Sequence, residues 1–319
     1  MSTPQTLIEA VRYYADMDVC HELMIKVKWP TGTIRCPHCD STKVGNIASR
    51  RKLQCKSCRK QFSTKVGTIF EDSPLSLDKW FVAIWCVANC KNGISSYELA
   101  RAIGVTQKSA WFMLHRIRKA MEVGGFSKSN GEHEADTTYV GGKAANMHKD
   151  KRAKRITGRG TVDKTAVHGV LKRGSKLAPS TVVARVLDNE DANTMLREVR
   201  KHVAPGARVF TDEAATYGEL VLTHIHRAID HSRCYAIGNI HVNGMENFWS
   251  LLKRALGGTY VSVSPFHLYR YVAEQVFRFN SRTDDDGGRF QCLLRRVVGK
   301  RLTYRVLCNI DDAGFMGIR

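Results

Sequence analysis

IHVNGMENFWSLLKRAL, residues 240–256, repeats its apolar positions in a way that sets the frame for the rest of the chain. Met245, Phe248, Trp249, Leu252 and Leu256 recur at three- and four-residue intervals, the period of one helical face and not the alternation of a strand. Glu246 and Lys253 are seven residues apart, about two turns, so an acid and a base share one edge of that helix with Ser250 between them. Alone, the pair is ordinary, because a glutamate in a first turn and a lysine in a last turn each complement the helix dipole. Its meaning comes from the elements upstream.

Working outward, residues 133–140 (HEADTTYV), 166–171 and 181–187 read as strands, and 191–203 as a helix with Met195, Leu196 and Val199 on its apolar face. A short strand at 207–211 delivers Asp212 at its carboxyl end, followed by a helix near 214–220, a strand around 224–229, the opening helix, and an amphipathic helix over 265–280. This is an α/β order, βββαβαβαα, the layout of a ribonuclease-H-like core. In such a sheet the first and fourth strands can be neighbours, which sets Asp136 beside Asp212, with Glu246 facing them from the covering helix. Three carboxylates around one point repel unless a hard cation sits among them, and oxygen ligands from separate elements suit Mg2+ or Mn2+. Paired ions of that kind support in-line phosphoryl displacement, the chemistry of nucleases and strand transfer. Glu134, two residues from Asp136 on the same strand face, and Glu213, beside Asp212, are rival ligands. His241 and Asn243 either position substrate or shape the turn.

Toward the N-terminus, GGFSKSNG at 124–131 is turn-rich and marks a boundary. Ahead of it, 93–121 holds two helical patterns joined at Gly104-Val105, with Thr106 as N-cap of the second, an arrangement of helix-turn-helix type. Its second helix carries Gln107, Lys108, Arg116 and Arg118 on the expected polar side, making Lys108 and Arg116 candidate DNA contacts. Ser76 is placed to cap a helix whose Trp80, Phe81, Ile84 and Trp85 read as core. Further back, Cys36-Pro-His-Cys39 and, fifteen residues on, Cys55-Lys-Ser-Cys58 have the spacing of a zinc ribbon. Four thiolates can close a tetrahedron on Zn2+ and leave no open position for catalysis. The expected domains are therefore 1–66 (N-terminal helices and zinc ribbon), 67–125 (helix-turn-helix region) and 132–319 (catalytic domain with the C-terminal helices).

Fifty Lys and Arg against thirty Asp and Glu leave +20 and a pI near 9.7, the balance of a protein that meets a polyanion. Double-stranded DNA fits better than a membrane surface, since no apolar run approaches the roughly 18 residues of a membrane span. No leader is visible, and a cytoplasmic, nucleoid-associated protein is expected. Residues 141–160 hold seven Lys or Arg and one Asp, so Lys151, Arg152, Lys154 and Arg155 are expected on the phosphodiester backbone. The six cysteines outside the two knuckles sit among apolar neighbours and read as buried thiols.

At these residues the chain resembles the DDE transposases of bacterial insertion sequences, specifically the group with an N-terminal zinc ribbon, the IS fifteen-ninety-five type. The likeness runs from WPTG before Cys36 through GTIFEDSPLSLDKW and DTTYVGGK to HVNGMENFWSLLKRALGGTY and VVGKRLTYR, almost the whole chain. It implies that Asp136, Asp212 and Glu246 are the catalytic acids that hold Mg2+ or Mn2+. Lys253 matches the basic residue that such enzymes place two turns after the glutamate to hold the transposon end. It also implies end cleavage followed by joining of the 3′ hydroxyl to target DNA, by a homodimer or higher oligomer on terminal inverted repeats and target. One departure is visible: the position after the first Asp is often acidic in this group and here is Thr137, for which Glu134 could compensate. Two other readings compete. One is a zinc-ribbon and helix-turn-helix regulator with a degenerate core; the other is a metal-dependent nuclease that cuts without joining.

Overall fold

The computed structural model of the chain describes residues 4–122, 126–141, 164–176, 178–188, 191–212, 216–229 and 239–310. By its own contacts the chain divides into two units, one made of residues 1–122 and 284–319 and the other of residues 123–283.

The first unit begins with α1 (Leu7–Tyr14), closed at its start by a capping box between Thr6 and Glu9, and α2 (Met17–Lys28), capped by Asp16. A three-stranded antiparallel sheet follows, β1 (Val44–Ile47), β2 (Lys52–Cys55) and β3 (Gln61–Phe62), over a small core of Trp29, Leu53 and Phe62. α3 (Leu77–Asn89) has nine buried residues around its circumference, the signature of a central helix. Ser76 does occupy its N-cap position, but the hydroxyl makes no capping bond. α4 (Ser96–Ile103) starts with a Ser95/Glu98 capping box and ends at Gly104, whose φ of +63° lets the chain reverse. Thr106 then caps α5 (Gln107–Met121) by accepting from the amide of Ser109 at 3.2 Å.

The second unit is built on one five-stranded sheet. β4 (Glu132–Val140), β5 (Thr165–Lys172) and β6 (Thr181–Val186) form an antiparallel run; α6 (Ala192–His202) follows, then β7 (Arg208–Thr211) and β8 (Ile225–Ala228). The spatial order is β6-β5-β4-β7-β8, with β7 parallel to both β4 and β8. β4 is therefore the central strand, and the chain enters β7 on its far side only after crossing the sheet through α6. Of the helix expected near 214–220, residues 214 and 215 lie outside the described residues, and the described part ends in a 3-10 turn, Gly218–Leu222. After it come α7 (Asn243–Arg254), a π-helical continuation at Ala255–Tyr260, and α8 (Leu268–Asn280).

Strand alternation sorts side chains to two cores. Ala135, Ala166 and Val170 join Met195, Leu196 and Val199 of α6 on one side. Val167, Leu171 and Val182 join Met245, Phe248, Trp249 and Leu252 of α7 and Val272 of α8 on the other.

Past residue 284 the chain contributes α9 (Asp286–Arg295) and α10 (Tyr304–Cys308) to the first unit. Phe290 of α9 is fully buried, its ring 5.0 Å from Tyr14 and 5.6 Å from Trp85. This corrects the expected boundary, which ran the catalytic domain to residue 319. It also corrects the polar face assigned to α5. Arg116 is 4% exposed, donates from Nε to the carbonyl of Leu302 at 3.0 Å, and lies over the Phe112 ring; Arg118 is 1% exposed. Lys108 is exposed, with its ammonium 5.1 Å from the centre of the Tyr304 ring.

Candidate active site and zinc cluster

β4 and β7 pair in parallel with Glu132 opposite Arg208, His133 opposite Val209 and Glu134 opposite Phe210. Two positions further along that register stand Asp136 and Asp212. Glu246 lies in the first turn of α7, the helix packed on the same face of the sheet to which Asp136 turns. Asp136 is buried, while Glu246 and Lys253 are exposed along α7.

The Asp136 carboxylate is held at both oxygens. The indole Nε1 of Trp249 donates to Oδ2 at 2.8 Å, and the amide of Thr137 donates to Oδ1 at 2.6 Å. Gly169, opposite Asp136 on β5, makes room for this: a Cβ there would overlap Met245 Cε and stand 3.0 Å from the Trp249 ring. Burial pushes the Asp136 carboxyl up from its usual value to about 7, and the charges of Asp212 and, less, Glu246 push the same way. The indole and amide bonds oppose that shift without cancelling it.

Glu134 shares the strand face of Asp136, but its carboxylate has other work. Oε1 accepts from Arg173 Nε at 2.8 Å and Oε2 from the amide of Met245 at 2.9 Å. It is 1% exposed, and its two oxygens tie β4 to Arg173 and to the start of α7. Thr137, the departure from the family pattern, points to the opposite face: its Oγ1 lies 3.0 Å from His168 Nδ1 and 3.8 Å from Met195 Sδ on the α6 side. An acid at that position would face away from Asp136. His241 Nδ1 accepts from Arg173 Nη2 at 3.0 Å, which ties this histidine to the turn. Glu213, Lys151, Arg152, Lys154 and Arg155 lie outside the described residues.

Carboxylate oxygens from separate elements, one of them buried and crowded by negative charge, fit a hard divalent cation, which would relieve the repulsion. In the ribbon, Cys36, Cys39, Cys55 and Cys58 present sulfurs all within 4.8 Å of one another. Sγ of Cys36 and Cys58 are 3.7 Å apart and those of Cys39 and Cys55 3.5 Å, close to the roughly 3.8 Å edge of a tetrahedron of thiolates around Zn2+. The amides of His38 and Cys58 donate to Cys36 Sγ and Cys55 Sγ, each at 3.4 Å, and the Cys58 amide helps hold the Cys55 thiol down at about 6. His38 itself is no member of the cluster. Among the described residues these cysteines form the one grouping of three or more His, Cys, Asp or Glu donors close enough to share an ion. The three carboxylates are not drawn together to that extent.

Residues 128–280, nearly the whole sheet-bearing unit, match the family of ISXO2-like transposase domains, and residues 16–61 match the transposase zinc-ribbon domain. The chain belongs to this transposase family. An uncharacterized protein in the transposable element ISH50 of Halobacterium salinarum is 27% identical over 273 residues, covering 80% of this chain and 90% of its own. An uncharacterized transposase-like protein of Haemophilus influenzae is 32% identical over 97 residues, 30% of this chain and 78% of its own length. No helix among the described residues of this transposase is long and apolar enough to cross a membrane.

Sequence reasoning named the three acids and the four cysteines, and passed over Arg173, Trp249 and Gly169 as parts of the site. For Gly169 a signal existed, because a glycine inside an apolar strand marks a close approach by another element. Trp249 was read as core, which it also is. Nothing local distinguishes Arg173.

Proposed function

We propose that this transposase binds the ends of its insertion sequence, cleaves the DNA there, and joins the freed 3′ hydroxyl to target DNA, with Asp136, Asp212 and Glu246 as the catalytic carboxylates. The observation that supports this reading is the parallel register of β4 and β7, which continues toward Asp136 and Asp212, together with the position of Glu246 in the first turn of the covering helix. The strand order β6-β5-β4-β7-β8, with three antiparallel strands followed by two parallel ones, supports a ribonuclease-H-like core.

Asp136, Asp212 and Glu246 would hold Mg2+ or Mn2+, whose chemistry there would be activation of an attacking hydroxyl and stabilisation of the leaving oxygen in an in-line displacement. The protein's own part is placement and charge. Asp136 offers a carboxylate oriented by Trp249 and by the Thr137 amide. Lys253, exposed two turns beyond Glu246, holds the backbone of the transposon end. No side chain serves as a nucleophile, because phosphoryl transfer needs positioning and charge stabilisation above all.

DNA is gripped by several surfaces in this reading. The zinc ribbon carries nine basic residues between 34 and 65, and α4 with α5 forms the helix-turn-helix reader, of which Lys108 is an exposed contact. Arg116 drops out of that role because its guanidinium is committed inside the unit. Lys151, Arg152, Lys154 and Arg155 add phosphate contacts. The active species is a homodimer or higher oligomer on DNA in the bacterial cytoplasm, spanning two ends and a target.

The deciding experiment is a cleavage and strand-transfer assay on end-containing DNA with Mg2+ or Mn2+, alongside a binding assay. Asp136→Asn and Asp212→Asn should abolish both reactions and preserve end binding. Cutting by Asp212→Asn at the wild-type rate would remove the assignment and favour a regulator or another nuclease site.

A further inference from the structure

We infer that the buried ion pair of Glu134 with Arg173 is a positioning device that sets the three carboxylate-bearing elements against one another. The inference rests on the reading of Asp136, Asp212 and Glu246 as metal ligands, and concerns residues that would not touch the metal or the DNA.

Arg173 follows the last residue of β5 and its side chain is only 14% exposed. Its guanidinium spreads over all three elements. Nε donates to Glu134 on β4 at 2.8 Å, two residues from Asp136, and Nη1 reaches Glu132 on the same strand at 3.2 Å. The planar group lies 4.1 Å from the centre of the Phe210 ring on β7, two residues before Asp212. Nη1 and Nη2 also donate to the carbonyls of Asn239 and His241, at 2.8 and 2.7 Å, in the segment that leads into α7.

Glu134 completes the frame from the other side. Its second oxygen accepts the amide of Met245, one residue before Glu246, where a helix N-terminus favours negative charge. Gly244 allows that approach, since a Cβ there would stand 2.8 Å from Glu134 Oε2 and 3.2 Å from Leu171. One acid and one base thus fix the strand of Asp136, the strand of Asp212 and the first turn that carries Glu246. Lysine cannot replace this fork, because it lacks the planar set of donors. Glutamine cannot replace Glu134, because two donors meet two separate oxygens and an amide offers only one.

The test uses the full chain at a temperature well below its melting point, with Glu134→Gln, Arg173→Lys and the double variant. Four quantities are read: the Mn2+ dissociation constant from electron paramagnetic resonance, kcat and KM for end cleavage, and end-DNA affinity. Each single variant should weaken Mn2+ binding by about ten- to a hundredfold and lower kcat to a similar extent, with end affinity within about twofold of wild type. The double variant should be no worse than the more damaging single one, since both break the same frame. Should a variant fail to fold, Gly244→Ala keeps both charges, crowds Glu134, and should weaken Mn2+ binding in the same direction. Lower melting temperatures with unchanged Mn2+ affinity and kcat would mean a purely structural pair and overturn the inference. So would loss of Mn2+ in Glu134→Gln with normal binding in Arg173→Lys, which would make Glu134 a ligand. Failure of the underlying reading looks different: Asp136→Asn would then cut at the wild-type rate whatever the frame variants do.

Discussion

Trp249 donates its indole N–H to Oδ2 of Asp136 across 2.8 Å, from a ring that a Cβ on Gly169 of β5 would meet at 3.0 Å. On the proposed reading of Asp136, the bond makes a core tryptophan a positioning group for the reaction. Trp249→Phe keeps most of the ring and removes the donor. It should cost about 1.5–3 kcal/mol of stability, the range for a hydrogen bond to a charged group, and lower kcat/KM for cleavage by about ten- to a hundredfold. Thermal melts and the cleavage assay check the two effects separately. Gly169→Ala should act by crowding, destabilising the sheet-bearing unit by about 1–3 kcal/mol as the indole is pushed from its place. Wild-type melting in that variant would mean that Met245 and Trp249 yield without cost.

The pH behaviour should carry the mark of Asp136. Its folded pKa, about 7, lies above the ordinary 3.8, so between these values the folded chain binds a proton that the unfolded chain has released. Stability from this group is therefore present below about pH 4, declines as pH rises toward 7, and is level beyond. A divalent cation favours the ionised form and should reverse the decline. Mn2+ should raise the melting temperature clearly at pH 8 and little at pH 5; equal shifts at both would count against a cation at this carboxylate.

The ribbon should bind about one Zn2+ per chain. Cys55→Ser, or a strong chelator, should unfold the ribbon, whose other core members are few, and leave the melting of the sheet-bearing unit in place. Freshly prepared, reduced protein without zinc on metal analysis would refute this.

DNA affinity should fall steeply with salt, given a net charge of +20. Replacing Lys151, Arg152, Lys154 and Arg155 with alanine should flatten the log-log slope by at most about four phosphate contacts. An unchanged slope would take this segment out of the DNA interface.

Periodicity and spacing made the elements of the second unit legible almost to the residue, because β4, β5 and α7 each keep one consistent pattern over several turns or pleats. They also made legible that the first and fourth strands of the unit are neighbours, and the four-cysteine cluster. What they could not convey were ties between distant residues. Arg116 reads as polar and therefore exposed, yet its partner carbonyl is 186 residues further along the chain. Glu134 reads as a spare ligand until Arg173 and the Met245 amide, from two other elements, take both its oxygens. The C-terminal helices read as an extension of what precedes them, since a local pattern carries no record of which core it joins.

The return of residues 286–295 to the first unit has a temporal consequence. Tyr14, Phe81 and Trp85 emerge early in synthesis, but Phe290, Leu293 and Leu294, buried in the same unit, emerge only after the whole of the second one has been made. The sheet-bearing unit, continuous from 123 to 283, can fold on the ribosome first although it comes second. A nascent chain would then hold Asp136 and Glu246 in place before the helical unit that carries the four-cysteine cluster is finished. A chain broken off near residue 284 would keep an intact sheet and an incomplete helical unit.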